Sequence, residues 1–208
     1  MSILLSTAYL PPVEYLSLLL KEDVEIEKCE NFVKQTYRNR ALIPTANGIL
    51  PLTIPVKKHG LHNCPITKVE IDYSQPWQRM HWRAIEAAYN ASPFFLYYKD
   101  YFYPFYHQQD IIYLFDFNIQ LLTILLKLFK IDKKLHFTST YAVLDKNEDL
   151  RLIIHPKKRE CADYPFNNMN VYRQVFLEKT GFIPNLSCID MLFNEGNWAI
   201  EILYSERD

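Results

Sequence analysis

The sequence predicts a mixed α and β fold, α/β or α+β, in one domain over residues 1–208. It has a β-α-β-like N-terminal part and a helical middle region. Three observations lead there. Residues 1–27 read as strand, helix, strand. Apolar residues recur at helical spacing between Trp77 and Phe129. Short strand-like runs lie toward both ends of the chain.

The elements follow in order. Ile3 to Ala8 is a short buried strand, and Pro11-Pro12 precede a helix, where a missing N–H costs nothing. Val13 to Lys21 carries Leu16, Leu19 and Leu20 at helical spacing, and Val24-Glu25-Ile26 alternates as a half-buried strand. Asn31 to Arg40 is polar and basic. Ala41 to Ile43, Ile49 to Val56 and Ile66 to Tyr73 read as strands, with Asn47-Gly48 as a hairpin turn. Trp77 to Tyr89 is a helix. Phe94 to Tyr106 is aromatic and helical until Pro104, and Asp110 to Phe129 is the longest helix. Phe137 to Tyr141 and Leu150 to Ile154 read as strands, and Val171 to Lys179 as a helix ended by Gly181. Ser187 caps a short helix through Asn194, with Asp190 supporting the cap and Gly196 stopping it; Trp198 to Tyr204 forms a terminal strand.

Composition excludes several functions. A formal net charge of −1 lacks the basic footprint of a nucleic-acid binder. The apolar run Ile111 to Phe129 is broken by Asp116, Asn118, Gln120 and Lys127, so no membrane span is expected. The N-terminus has no signal-peptide pattern, and Cys29, Cys64, Cys161 and Cys188 include no C-x-x-C pair. The expected compartment is the reducing cytoplasm. The aromatic share of 15 % reads either as a Tyr-rich core and rim or as a stacking surface for a sugar or base.

No cofactor motif is present: G-x-G-x-x-G, the P-loop and the G-x-S-x-G elbow are all absent. His59-Gly-Leu-His62 has no acidic or Cys companion and is rejected as a metal site. Asp163 and Glu201 lie near other acids, but no spacing sets two carboxylates across a sugar ring. Lys34 to Arg40 is either a solvated charged turn or an anion site, with Arg40 able to grip a phosphate or carboxylate bidentately. His81, near Trp77 and Tyr89, is a general base or a structural histidine. The opening strand-helix-strand unit also raises a nucleotide-handling fold, because ligands gather at strand carboxyl ends in α/β sheets.

Several segments together resemble the WbqC-like family. They are Tyr9-Leu10-Pro11-Pro12-Val13-Glu14-Tyr15, Phe32 to Arg40, Leu52-Thr53-Ile54-Pro55-Val56, Trp77 with His81, Ile85 and Tyr89 leading to Pro93-Phe94-Phe95, and Leu186 to Gly196 as the family's S-x-x-D-x-L-F-N-x-G close. Members often accompany genes for O-antigen and other surface polysaccharides. The resemblance therefore implies a transferase acting on an activated sugar, nucleotide-sugar or acyl donor. The family's shared polar positions map to Lys34, Tyr37, Asn39, Arg40, His81, Ser187 and Asp190. The expected site has His81 and Asp190 in catalysis, and Lys34, Tyr37, Asn39, Arg40, Trp77 and Ser187 in binding a small molecule or glycan precursor. Where other members carry His-Gln-Pro, this chain has Thr7-Ala8-Tyr9, and the stretch between Arg151 and Tyr172 is short. These departures, with the aromatic Tyr97 to Tyr106 segment, keep open a noncatalytic binding or assembly role.

Overall fold

The computed structural model describes residues 2–143, 148–158 and 170–204; Cys161 and Asp163 lie outside the described residues. Strand β1 (Ile3–Ser6), helix α1 (Val13–Lys21) and strand β2 (Val24–Glu27) form the β-α-β unit, with Ile3 opposite Val24 and Ser6 opposite Glu27 in parallel register. The short strand β5 (His136–Phe137) joins the free side of β2, also parallel, giving the order β1-β2-β5. Leu16, Leu19 and Leu20 are buried on α1, as their spacing requires.

An antiparallel hairpin, β3 (Arg40–Thr45) and β4 (Gly48–Thr53), stands apart from that sheet. Its turn is Ala46-Asn47, one residue earlier than the Asn-Gly signal indicates. Gly48 pairs with Thr45 at φ +113°. The middle is helical: α2 (Trp77–Tyr89), α3 (Phe95–His107) and α4 (Leu114–Leu128). Helix α3 continues through Pro104 to His107 rather than ending there. After it come α5 (Leu177–Thr180), α6 (Cys188–Glu195) and α7 (Ala199–Tyr204).

Several expectations change: of the strand expected over Phe137 to Tyr141, only Phe137 lies in one, as the end of β5. Trp198 to Tyr204 is not a strand but a 3-10 turn followed by α7. Ala199 and Leu203, four apart, are the buried residues there, and α7 packs on α1. Ile66 to Tyr73 is a 3-10 turn over Ile66–Lys68, followed by isolated bridges from Glu70 to Tyr113 and Ile71 to Val56. Leu150 to Ile154 is a turn in which the Ile153 and Ile154 amides both donate to the Leu150 carbonyl. Val171 to Lys179 is helical only from Leu177, because Gln174 spends its side chain on both backbone groups offered by Ile183: its Nε2 donates to the carbonyl and its Oε1 accepts from the amide.

The two chain ends are stitched together. The Ser187 amide donates to the Leu42 carbonyl, the Cys188 amide to the Pro11 carbonyl and the Val13 amide to the Leu186 carbonyl. Ser187 stands at the start of α6, yet its hydroxyl makes no cap. It donates 2.8 Å to the Leu10 carbonyl instead. That corrects the capping role expected for Ser187 and Asp190, and the reason is tertiary: Leu10, at φ +39°, turns its carbonyl toward α6.

Gly196 ends α6 at φ +56°, and a Cβ there would lie 2.7 Å from the Phe94 ring. Gly196→Ala should therefore destabilise the fold by about 2 kcal/mol or more, from strain plus overlap. Gly60→Ala, at φ +74° with nothing within 4 Å, should cost only the strain, about 1 kcal/mol. Urea denaturation of both variants checks the difference.

Candidate functional site

The carboxyl ends of β1 and β2 carry a buried network of charges. Arg38 donates from Nε to Glu30 Oε1 at 2.9 Å and from Nη2 to Ser6 Oγ at 2.6 Å, and it forms an ion pair from Nη2 to Glu30 Oε2. Both side chains are buried. Next to them Glu27, with no exposed surface, accepts from Thr138 Oγ1 at 2.6 Å, the Cys29 amide at 2.7 Å and the Ala142 amide at 2.8 Å. Arg151 completes the set. It reaches Glu27 at 3.4 Å, grips both oxygens of Asp149, and lies 4.7 Å from the Tyr141 ring centroid. The Arg151 guanidinium holds the Asp149 carboxyl below the usual carboxylate range.

Ser6, Thr7, Tyr37, Arg38, Arg151 and Ile154 line a cavity of about 10 Å³, room for one water at most. The Thr7 hydroxyl is buried there without a hydrogen-bond partner. Ile154 of the cavity wall is followed in the chain by half-buried His155. Burial lowers the pKa of His155, and Lys158, Lys157, Arg38 and Arg40 all lower it further. Arg40 is half-buried and donates from Nε to Thr53 Oγ1 at 3.3 Å, while Lys157 and Lys158 are exposed.

The residues singled out in the sequence do not all meet here. Tyr37 lines the cavity, whereas Arg40 is not part of its lining and opens β3 opposite Thr53. Lys34 is exposed. Asn39 is buried, and its Nδ2 donates to the Ile54 carbonyl, which ties the loop to the hairpin's exit. Trp77 and His81 sit under the hairpin. The Tyr9 hydroxyl is 3.0 Å from His81 Nδ1 and 2.7 Å from the Tyr106 hydroxyl, and the Tyr9 and His81 rings stack at 5.8 Å. Trp77 meets His81 edge-on at 5.1 Å. Burial pushes the His81 pKa down to about 4, opposed by a backbone hydrogen bond with Thr53.

Asp190 belongs to a second network. Its Oδ2 accepts from the Tyr172 hydroxyl at 2.7 Å and from Gln174 Nε2 at 3.0 Å, while Oδ1 has no partner. Burial raises its pKa to about 7, although Tyr172, Gln174 and Tyr89 all favour the ionised form. Tyr89 ends α2, and His81 lies two turns earlier. The His81 and Asp190 networks are therefore separated by about 12 Å of helix, at ~1.5 Å per residue.

The sequence reading missed Glu27, Glu30 and Arg151. Glu27 falls at a position that strand alternation assigns to solvent. Arg151 is 124 residues from Glu27, so no local pattern joins them. Arg38 stood inside the basic segment but was not separated from its exposed neighbour Lys34.

With this geometry in view, comparison with known proteins defines the class. Residues 7–170 match the WbqC-like protein family, and the chain belongs to that family. It is similar to a protein of Mycobacterium tuberculosis (strain ATCC 25618 / H37Rv) named "Uncharacterized protein Rv1507c", 27 % identical over 196 residues, covering 83 % of each chain. No solved structure matches.

The two buried acid–base groups give opposite pH slopes. An unfolded imidazole protonates below about 6.5, while folded His81 stays neutral down to about 4. Its contribution is present above pH 6.5 and is lost as pH falls toward 4. Folded Asp190 keeps its proton up to about 7, whereas the unfolded side chain releases it above 3.8. Its contribution is present below 3.8 and is lost as pH rises toward 7. Each is of order 3 kcal/mol, so they largely cancel in the wild type. His81→Asn should leave a stability that falls from pH 4 to 7, and Asp190→Asn one that rises, read by urea midpoints across that range.

Proposed function

We propose that this chain is a transferase-like protein of the cytoplasm. It holds the anionic group of an activated sugar, nucleotide-sugar or acyl donor at the carboxyl ends of β1 and β2, in surface polysaccharide (O-antigen-type) biosynthesis. The observation that carries this reading is the set of basic residues by the carboxyl end of a parallel sheet: exposed Lys157 and Lys158 closely follow the cavity residue Ile154, and their charges, with that of Arg40, act on His155. In parallel α/β sheets, ligands gather outside the strand carboxyl ends. Arg38 and Arg151 are already paired with buried carboxylates, so they support the surface, and Arg40, Lys157 and Lys158 meet the ligand. The polysaccharide context is what family membership implies.

In this reading the chain has one domain, and its ligand is a small molecule or glycan precursor. Among the described residues no helix is long and apolar enough to cross a membrane. His81 and Asp190 sit in closed networks. Proton transfer by either to a bound donor would require the core around it to open.

A second reading, a noncatalytic binding or assembly protein, is favoured by one feature. Leu96, Tyr97 and Tyr101 on α3 are 65 %, 74 % and 44 % exposed, and Trp198 is 64 % exposed. Phe94, at the start of α3, lies against Gly196, which brings Trp198 to the same end of the helix. Such a patch suits a partner surface.

Thermal and calorimetric binding to nucleotide-sugars, acyl-CoAs and inorganic pyrophosphate separates the two. The donor reading expects stabilisation of roughly 2.7 kcal/mol at ligand near 100 times Kd, weakened by salt. Arg40→Ala, or Lys157→Ala with Lys158→Ala, should weaken binding by about tenfold or more, while Tyr97→Ala with Trp198→Ala should leave it unchanged. No binding across the panel would overturn the donor reading in favour of the aromatic surface.

A further inference from the structure

Helix α4 leaves one face unused. Its buried residues include Leu114, Leu121, Leu122 and Leu125, which point into the core. The opposite stripe is Asp116, Gln120, Thr123 and Lys127, all exposed, with spacings of four, three and four that keep them in line on a helix. Half-buried Ile119 and Ile124 flank the stripe.

This pattern is self-complementary. Read backwards about the point between Leu121 and Leu122, Asp116 exchanges with Lys127, Ile119 with Ile124, and Gln120 with Thr123. An antiparallel copy would therefore set the Asp116 carboxylate against the Lys127 ammonium. A parallel copy would set like charges together.

The ground beside the helix is apolar as well. Two open grooves, which share Ile119 and Phe137, run along α4. Tyr113 and Phe115 lie in one, and Leu126 and Leu135 in the other. Ile112 is 57 % exposed at one end. Strand β5, whose Phe137 lines both grooves, is an edge strand of its sheet among the described residues. Fifteen residues of helix span about 22 Å, so the stripe alone is smaller than the ~800 Å² per partner of a stable interface. The grooves supply the additional apolar area.

We propose that the α4 face formed by Asp116, Ile119, Gln120, Thr123, Ile124 and Lys127 docks against a second copy of this chain, antiparallel about a two-fold axis. The contact is isologous, so the same patch serves both protomers and assembly closes at a dimer. The Asp116–Lys127 pair occurs twice across it and sets the register. Ile119 and Ile124 fill the seam on either side. The proposed anion surface lies on other elements, so this inference does not depend on the donor reading.

Sedimentation equilibrium of the full chain over a range of concentrations is the test. The wild type should dimerise. Asp116→Lys alone, or Lys127→Glu alone, should weaken the dimer by about tenfold or more, because each places like charges opposite one another twice. Asp116→Lys and Lys127→Glu in one chain should restore it. Mixing the two single variants should yield a heterodimer in which both pairs are attractive again. All four positions of the stripe are exposed, and unchanged circular dichroism serves as the folding control. A wild type that stays monomeric at every concentration leaves the face to a foreign partner and overturns the proposal. So does a dimer indifferent to single charge reversals, or one that the paired reversal fails to restore.

Discussion

The Arg38 guanidinium is the contact on which the architecture turns. Its side chain joins the end of β1 at Ser6 to the segment after β2 at Glu30, and its carbonyl accepts a hydrogen bond from Asn118 on α4. One residue thus ties the parallel sheet to the helical middle, immediately before β3 begins at Arg40. Taking a guanidinium out of water is expensive unless its donors are satisfied, and here a carboxylate and a hydroxyl satisfy several of them. Arg151 plays the matching part for Glu27, bringing in the chain after β5. The carboxyl edge of the sheet is consequently closed by two guanidiniums paired with three carboxylates.

Helix α2 organises the other half of the molecule. His81 faces Tyr9 and Trp77 beneath the hairpin, and Tyr89 faces Phe193 and the Asp190 network at the helix end. Both networks are built around tyrosine side chains. Tyr9, Tyr15, Tyr89, Tyr106 and Tyr172 are core residues whose rings fill volume, and in most of them the hydroxyl satisfies a buried polar neighbour. The exposed aromatics of α3 form a separate group. A core histidine held neutral and a core aspartate that retains its proton both follow from one cause, the cost of placing charge away from water.

Local pattern was legible wherever one face of an element meets the core. The β-α-β opening, the helices beginning at Trp77 and near Phe94, and the α6 segment up to Gly196 all announce themselves through spacing and breakers. Failures came where a short apolar run could satisfy either period. Trp198 to Tyr204 reads as a strand by alternation, but Ala199 and Leu203 had α1 available as a packing partner. Ser187 has the chemistry of a cap, yet a carbonyl from far along the chain competed for its hydroxyl and won. Of the candidate residues, Tyr37 and Arg40 stood in a basic, aromatic segment of the sequence. Glu27, Glu30 and Arg151 were not legible, since a buried ion pair leaves no periodic trace when its partners lie far apart.

By itself the sequence determined the β-α-β opening, the helical middle and the family. These depend on side-chain spacing over a few turns, on backbone conformational limits and on composition. Only the tertiary structure decided which charges are free and which are spent. It paired Arg38 with Glu30 and Arg151 with Glu27, and it separated His81 from Asp190 by much of the length of α2. The reason is physical: whether a polar group meets solvent, a ligand or another buried group depends on desolvation, and desolvation is set by what distant segments bring to the same place.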